Sequence, residues 1–303
     1  MISKKTALLL LSALTLSFVA LNTSCKKDRI PQDDYQDMES FYSDNEEAEQ
    51  EYTIDSTGGN CYFTALKGTR ICITAAALEM TGGGQVTYPF QAKVIELYSV
   101  KDMILRRKPS VSGADVLETG AEIRVRPFKN GSEVFLKTNA FYNMETANLT
   151  TVNNTMDVYF GVDNGGVNNW VNTISSSVDA ITNVASTASY YTLQNGKTDW
   201  VSPSRIPSSS GNTTLTLTVP GTNTNKIQSY ISFAGFKGVM KIENLSSTSV
   251  PLGQQVTLIC FGKKADGNFY IYQQSFNTTA NQVIALAMQQ TTEAGLLSAL
   301  AAL

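Results

Sequence analysis

The turn pairs Asn130-Gly131, Asn195-Gly196 and Asp266-Gly267 constrain the fold most, because each lies between short runs that alternate apolar and polar residues. Asn-Gly and Asp-Gly accept the positive φ that tight hairpins require, so each pair predicts two antiparallel strands. IRVRPF and EVFLKT flank the first, YYTLQ and KTDWVS the second, and VTLICFGKK and NFYIYQQSF the third. Thr213 to Val219 alternates strictly, with Leu215, Leu217 and Val219 on one face and threonines on the other. Each sheet must bury its apolar face against another layer. The expected fold is therefore all-β: two β-sandwich domains closed by a short C-terminal helix. Thr292 reads as the cap of that helix, and Leu296, Leu297, Leu300 and Leu303 as its apolar stripe.

The first 24 residues follow another logic. Lys4 and Lys5 precede a 14-residue apolar run, Ala7 to Ala20, and Leu21-Asn22-Thr23-Ser24 then leads into Cys25. A basic start, a short apolar core and small residues before a cut describe a secretory signal peptide. The run is shorter than the roughly 20 residues that span a bilayer. A cysteine at this place marks the bacterial lipoprotein variant, so Cys25 is the expected acylation site and the lipid the expected membrane attachment. Lys26-Lys27-Asp28 resembles the signals that send lipoproteins to the outer face in Bacteroidota-type bacteria.

From Asp28 to Asp55 the chain carries eleven acidic residues and one basic residue, Arg29. So much like charge predicts a disordered, solvated tether over residues 25–55. Two other outcomes are open: docking of Tyr35, Phe41 and Tyr42 into a partner, or folding back onto the basic residues Lys101, Arg106, Arg107, Lys108, Arg124 and Arg126. Asp55-Ser56-Thr57 matches a short O-glycosylation sequon, which makes Ser56 a candidate for modification.

Three stretches carry a family resemblance. Gly68-Thr69-Arg70-Ile71-Cys72-Ile73 resembles the strand that opens a ZU5-like sandwich. Asp102-Met103-Ile104-Leu105, followed by Leu117-Glu118-Thr119-Gly120-Ala121-Glu122-Ile123, is similar to a motif pair of ZU5-like domains in envelope lipoproteins. Met156 to Gly161, ending at Trp170, looks like the closing strand. Val250-Pro251-Leu252-Gly253 before VTLIC resembles a strand of their second sandwich. The resemblance implies a ZU5-like sandwich over residues 56–172 and a second sandwich with the helix over 173–303; Val171 to Ala188, weakly apolar and rich in small residues, reads as the inter-domain connection. It implies an envelope location and little about activity.

The chain contains no histidine. That removes the Ser-His-Asp and Cys-His nucleophile arrangements and the usual zinc ligand. No catalytic residue, metal site or cofactor is expected, and export with near-neutral charge argues against nucleic acid. Tyr190, Tyr191, Trp200 and Tyr270 are the candidate ligand-contact aromatics, because exposed rings stack on sugars or fill interfaces. Cys61 and Cys72 flank a candidate hairpin. A four-residue loop, Ala65 to Gly68, would set them opposite each other, within reach of a disulfide. Cys260 reads as a small buried hydrophobe.

The sequence thus predicts a non-catalytic outer-membrane lipoprotein at the cell surface or on the periplasmic face. It would bind or scaffold envelope proteins or extracellular glycans. A fimbria-type structural subunit is the alternative, and a carbohydrate-active enzyme working through paired carboxylates the third.

Overall fold

The computed structural model describes residues 34–55, 61–164, 167–221 and 223–303. The signal peptide, Cys25 and Ser56 lie outside the described residues. Among the described residues strands account for 47% and the four helices are short, so the fold is all-β.

The first sandwich pairs an eight-stranded sheet with a five-stranded one. The larger sheet runs Val167–Val171, Asp157–Asn164, Asp199–Arg205, Glu122–Lys129, Phe90–Leu97 and Gln50–Ile54, with two short strands at its margins. The smaller runs Asn183–Ser186, Tyr191–Asn195, Tyr142–Glu145, Arg70–Cys72 and Tyr62–Thr64. Alternation decides what lies between them: Val94, Ile123, Val125 and Val201 meet Ile71, Met144 and Leu193 in one apolar core. The second sandwich faces a six-stranded sheet, centred on Gln255–Lys264, against the strands Ser246–Pro251, Asn212–Thr218 and Gln282–Ala285. Leu215, Leu217, Ile231, Leu258 and Cys260 fill that core.

A third core joins the sandwiches. The outer faces of the two large sheets contribute Ile95, Leu97, Trp170 and Trp200 on one side and Tyr230, Ile259 and Phe261 on the other. The helices Glu39–Asn45, Val100–Leu105 and Glu293–Ala301 supply the filling between them. Thr292 caps the last of these, its hydroxyl accepting from the Gly295 amide at 3.0 Å. Leu296 and Leu300 are fully buried there, so the C-terminal helix seals the joint between sandwiches as well as closing the second.

Two expectations are corrected. The expected boundary near residue 172 falls inside the first sandwich, which continues through Asp199–Arg205. That strand pairs with Asp157–Asn164 on one side and Glu122–Lys129 on the other, so the sheet cannot be divided there. Val171 to Ala188, expected as the inter-domain connection, contains a short helix, Ser176–Asp179, and the sheet-edge strand Asn183–Ser186.

The expected disordered tether is the larger correction. From Asp34 onward it is a folded strap that serves all three cores. Tyr35–Gln36 pairs with the last two residues of Gln255–Lys264, the central strand of the second sandwich's large sheet, and Gln50–Ile54 adds an edge strand to Phe90–Leu97 of the first. Tyr35 enters the second core, Met38, Phe41 and Tyr42 the joining core, and Ile54 the first core. Gly262 makes room for this, since a Cβ there would lie 2.9 Å from the Tyr35 ring. The strap's acids are spent on the facing cations: Glu39 on Arg107 and Glu46 on Arg106, both at 2.6 Å, and Glu49 on Arg126 at 2.7 Å. Neutralisation removes the self-repulsion that a free acidic segment would carry, and burial of its aromatic residues fixes it in place.

Candidate functional site

The Cys61–Cys72 disulfide fixes the hairpin on which the most promising site is built, with the two Cα atoms 4.7 Å apart. The loop has five residues, one more than expected, so Tyr62 and not Cys61 lies opposite Cys72. Cys61 reaches its partner diagonally. Replacing both cysteines with serine is expected to cost about 2–4 kcal/mol of stability, read as a lower urea midpoint, with the reduced wild type matching the variant.

The register of this sheet sets Arg70 directly opposite Glu145, and the two side chains form an ion pair. The Arg70 guanidinium also lies over the Tyr62 ring, 4.7 Å from its centroid. Lys67, at the hairpin tip, bridges Glu47 of the strap at 2.7 Å and Asp102 at 2.9 Å. Burial opposes the Lys67 charge, but these two carboxylates outweigh it and hold the ammonium above its ordinary pKa. Gly68 takes φ +105 at the turn, where its missing side chain lets Ala147 approach.

Tyr190 completes the site. Thr187 positions it: the Tyr190 amide donates to the Thr187 hydroxyl, and the Tyr190 carbonyl accepts from both the Thr187 amide and hydroxyl, all within 3.0 Å. Tyr190, Arg70, Glu145, Lys67 and Asn148 thereby line an open recess of about 450 Å³. Its charges are matched internally, leaving a half-buried ring beside amide and carboxylate groups that can accept and donate hydrogen bonds.

The other three candidate aromatics do not join Tyr190 there. Tyr191 is 1% exposed and belongs to the first core, because successive residues of a strand face opposite ways. Trp200 is 9% exposed and packs edge-on against Trp170, with Lys108 Nζ 5.3 Å from its ring centre. Tyr270 is half-buried on the second sandwich, its hydroxyl donating to Asp266 at 2.9 Å. Tyr191 and Trp200 are thus core residues rather than contact rings, and both sit in the first sandwich. Arg70, Glu145 and Asn148 were missed as site residues. The signal available for Arg70 and Glu145 was their outward phase in strands whose alternate residues, Ile71 and Met144, are fully buried; Asn148, in the loop beyond, carried none.

A second recess of about 300 Å³ lies where the sandwiches meet. The Glu118-Thr119-Gly120 stretch forms one wall and the turn Ala234 to Lys237 the other. The walls are stitched together: the Thr119 amide donates to the Lys237 carbonyl at 2.8 Å, and Lys237 Nζ to the Gly120 carbonyl at 2.7 Å. Glu118 is held by Arg205 at 2.6 Å. Behind this wall Glu122 is fully buried, accepting from the Ser110 hydroxyl at 2.8 Å. Burial outweighs that bond and the charges of Lys108 and Lys237, pushing the Glu122 carboxyl up to about 8.

Comparison with known proteins gives no family model, curated protein or solved structure that matches the chain.

Proposed function

We propose that this chain is a non-catalytic outer-membrane lipoprotein, anchored through Cys25 and bearing a ZU5-like first sandwich, that binds glycans at the Tyr190 recess. The observation that carries the reading is the composition of that recess. A tyrosine ring stands beside the Arg70–Glu145 pair and the Asn148 amide on a disulfide-fixed hairpin. Sugars present an apolar ring face and a rim of hydroxyls, and such a site offers a partner to each. Because Arg70 and Lys67 are already neutralised by acids, the favoured ligand is uncharged. A rigid joint between the sandwiches suits a module that presents one surface outward from a membrane anchor.

The test is binding of the full-length protein, extracted in detergent, to an immobilised panel of envelope and extracellular glycans. Tyr190→Ala is expected to weaken binding about tenfold, the loss of one stacked ring at about 1.4 kcal/mol. Retention of no glycan by the wild type, or full retention by Tyr190→Ala, contradicts the reading.

One observation favours a second reading, a fimbria-type subunit. The N-terminal segment supplies the outermost strand, Gln50–Ile54, of the large sheet in the first sandwich, so its removal would open that edge to a strand from another chain. SDS-resistant ladders would support it, and a discrete monomer would count against it.

A further inference from the structure

The two recesses share one continuous wall. Thr146, Ala147 and Asn148 line the Tyr190 recess, and the next three residues, Leu149, Thr150 and Thr151, line the recess at the junction. Tyr190 and Tyr191 divide in the same way, one to each. From Thr146 to Thr151 the chain can span no more than about 18 Å even if fully extended.

Tyr98 touches lining residues of both recesses. Its hydroxyl hydrogen-bonds to the Thr69 hydroxyl at 2.8 Å and accepts from the Ala147 amide at 2.7 Å, beside the first recess. Its ring faces Lys237 Nζ, 5.9 Å from the centroid, at the edge of the second. The two linings also match in chemistry. The junction recess is lined by Phe236 and Met156 together with Thr150 and Thr151, whose side chains carry hydroxyls. Its charged groups are committed, Lys237 to the Gly120 carbonyl and Glu118 to Arg205. Apolar faces with hydroxyl partners and no uncommitted charge describe a site for an uncharged sugar, as in the first recess.

We infer that the two recesses are neighbouring subsites for one extended, uncharged oligosaccharide, an inference that rests on the glycan reading. The Tyr190 recess takes one sugar ring, and the junction recess takes the units that follow. Specificity for chain length then comes from the joint between the sandwiches.

Isothermal titration of the full-length protein tests this. The probes are α-1,4-glucose, β-1,4-glucose and N-acetylglucosamine oligomers of one to six units. The series that binds is expected to gain at least tenfold in affinity between one unit and the longest oligomer. Phe236→Ala is expected to abolish that gain and to leave one-unit affinity within twofold. Thr151→Trp, at an exposed position, blocks the same recess without touching a core and is expected to act alike. Tyr190→Ala weakens every length. Binding that needs Tyr190 but is equal at all lengths, or a length gain that survives both junction variants, overturns the inference and leaves the glycan reading standing. Failure of every oligomer and every immobilised glycan to bind removes both.

Discussion

Phe41→Ala is expected to destabilise the whole protein by about 3–5 kcal/mol, the usual cost of emptying a buried phenylalanine site. Phe41 is 3% exposed and its ring meets those of Tyr42, Phe261 and Phe269 at centroid distances of 5.7, 6.0 and 5.6 Å. The strap's ion pairs are more numerous but weaker. Most involve half-exposed groups, and exposed pairs contribute about 0–1 kcal/mol each. Glu39→Gln, which breaks the pair with Arg107, should therefore shift the urea midpoint far less than Phe41→Ala. Equal effects would mean that charge and not burial holds the strap. A free tether would lose nothing in either variant.

The second large effect is set by pH. In the folded chain the Glu122 carboxyl titrates at about 8, against an ordinary value near 4.5. Between those values the folded state keeps a proton that the unfolded state has released. The associated stability is fully present below about 4.5 and is lost as pH rises through 8, by up to about 1.4 kcal/mol per pH unit. The Lys237 ammonium, lowered by burial against the pull of Glu122 and Asp102, favours its neutral form toward alkaline pH. The useful window is therefore pH 5 to 8. Glu122→Gln should flatten the decline of urea stability across it and exceed the wild type at pH 8. Parallel profiles for the two proteins would show that Glu122 is ionised in the fold.

The β architecture was legible because its signals are local. Asn130 and Gly131 both take positive φ, and Asp266-Gly267 closes the hairpin between Gln255–Lys264 and Phe269–Asn277. Asn195-Gly196 carried the same signal and misled. Its flanking strands enter different sheets, so the turn carries the chain across the sandwich rather than back along one sheet. The motif pair behind the ZU5 resemblance has a structural use in this fold. Asp102 forms a capping box with Ser99 at the helix Val100–Leu105, and Glu118 to Gly120 line the junction.

The strap was misread for a different reason. Net charge averages over a segment, whereas burial depends on phase. Met38, Phe41 and Tyr42 have the i, i+3, i+4 spacing of an amphipathic helix, with Glu39, Ser40, Ser43 and Asp44 on the remaining positions. The cations that pair with the strap's acids lie 20 to 189 residues further on, from the Glu47–Lys67 pair to the Asp37–Lys226 pair, and only the fold brings them near. The recess was hidden in the same way: Arg70, Glu145 and Tyr190 are distant in sequence, and cross-strand pairing joins the first two while the Thr187 turn brings in the third.

The central claim is that residues 34–54 are part of the folded body. Amide hydrogen exchange of the full-length protein, resolved by fragment, addresses it most directly. Protection of Gln50 to Ile54 comparable to that of Phe90 to Leu97, and slow exchange through the helix Glu39–Asn45, is the predicted result. Exchange of the whole segment at the rate of an unstructured peptide would contradict it.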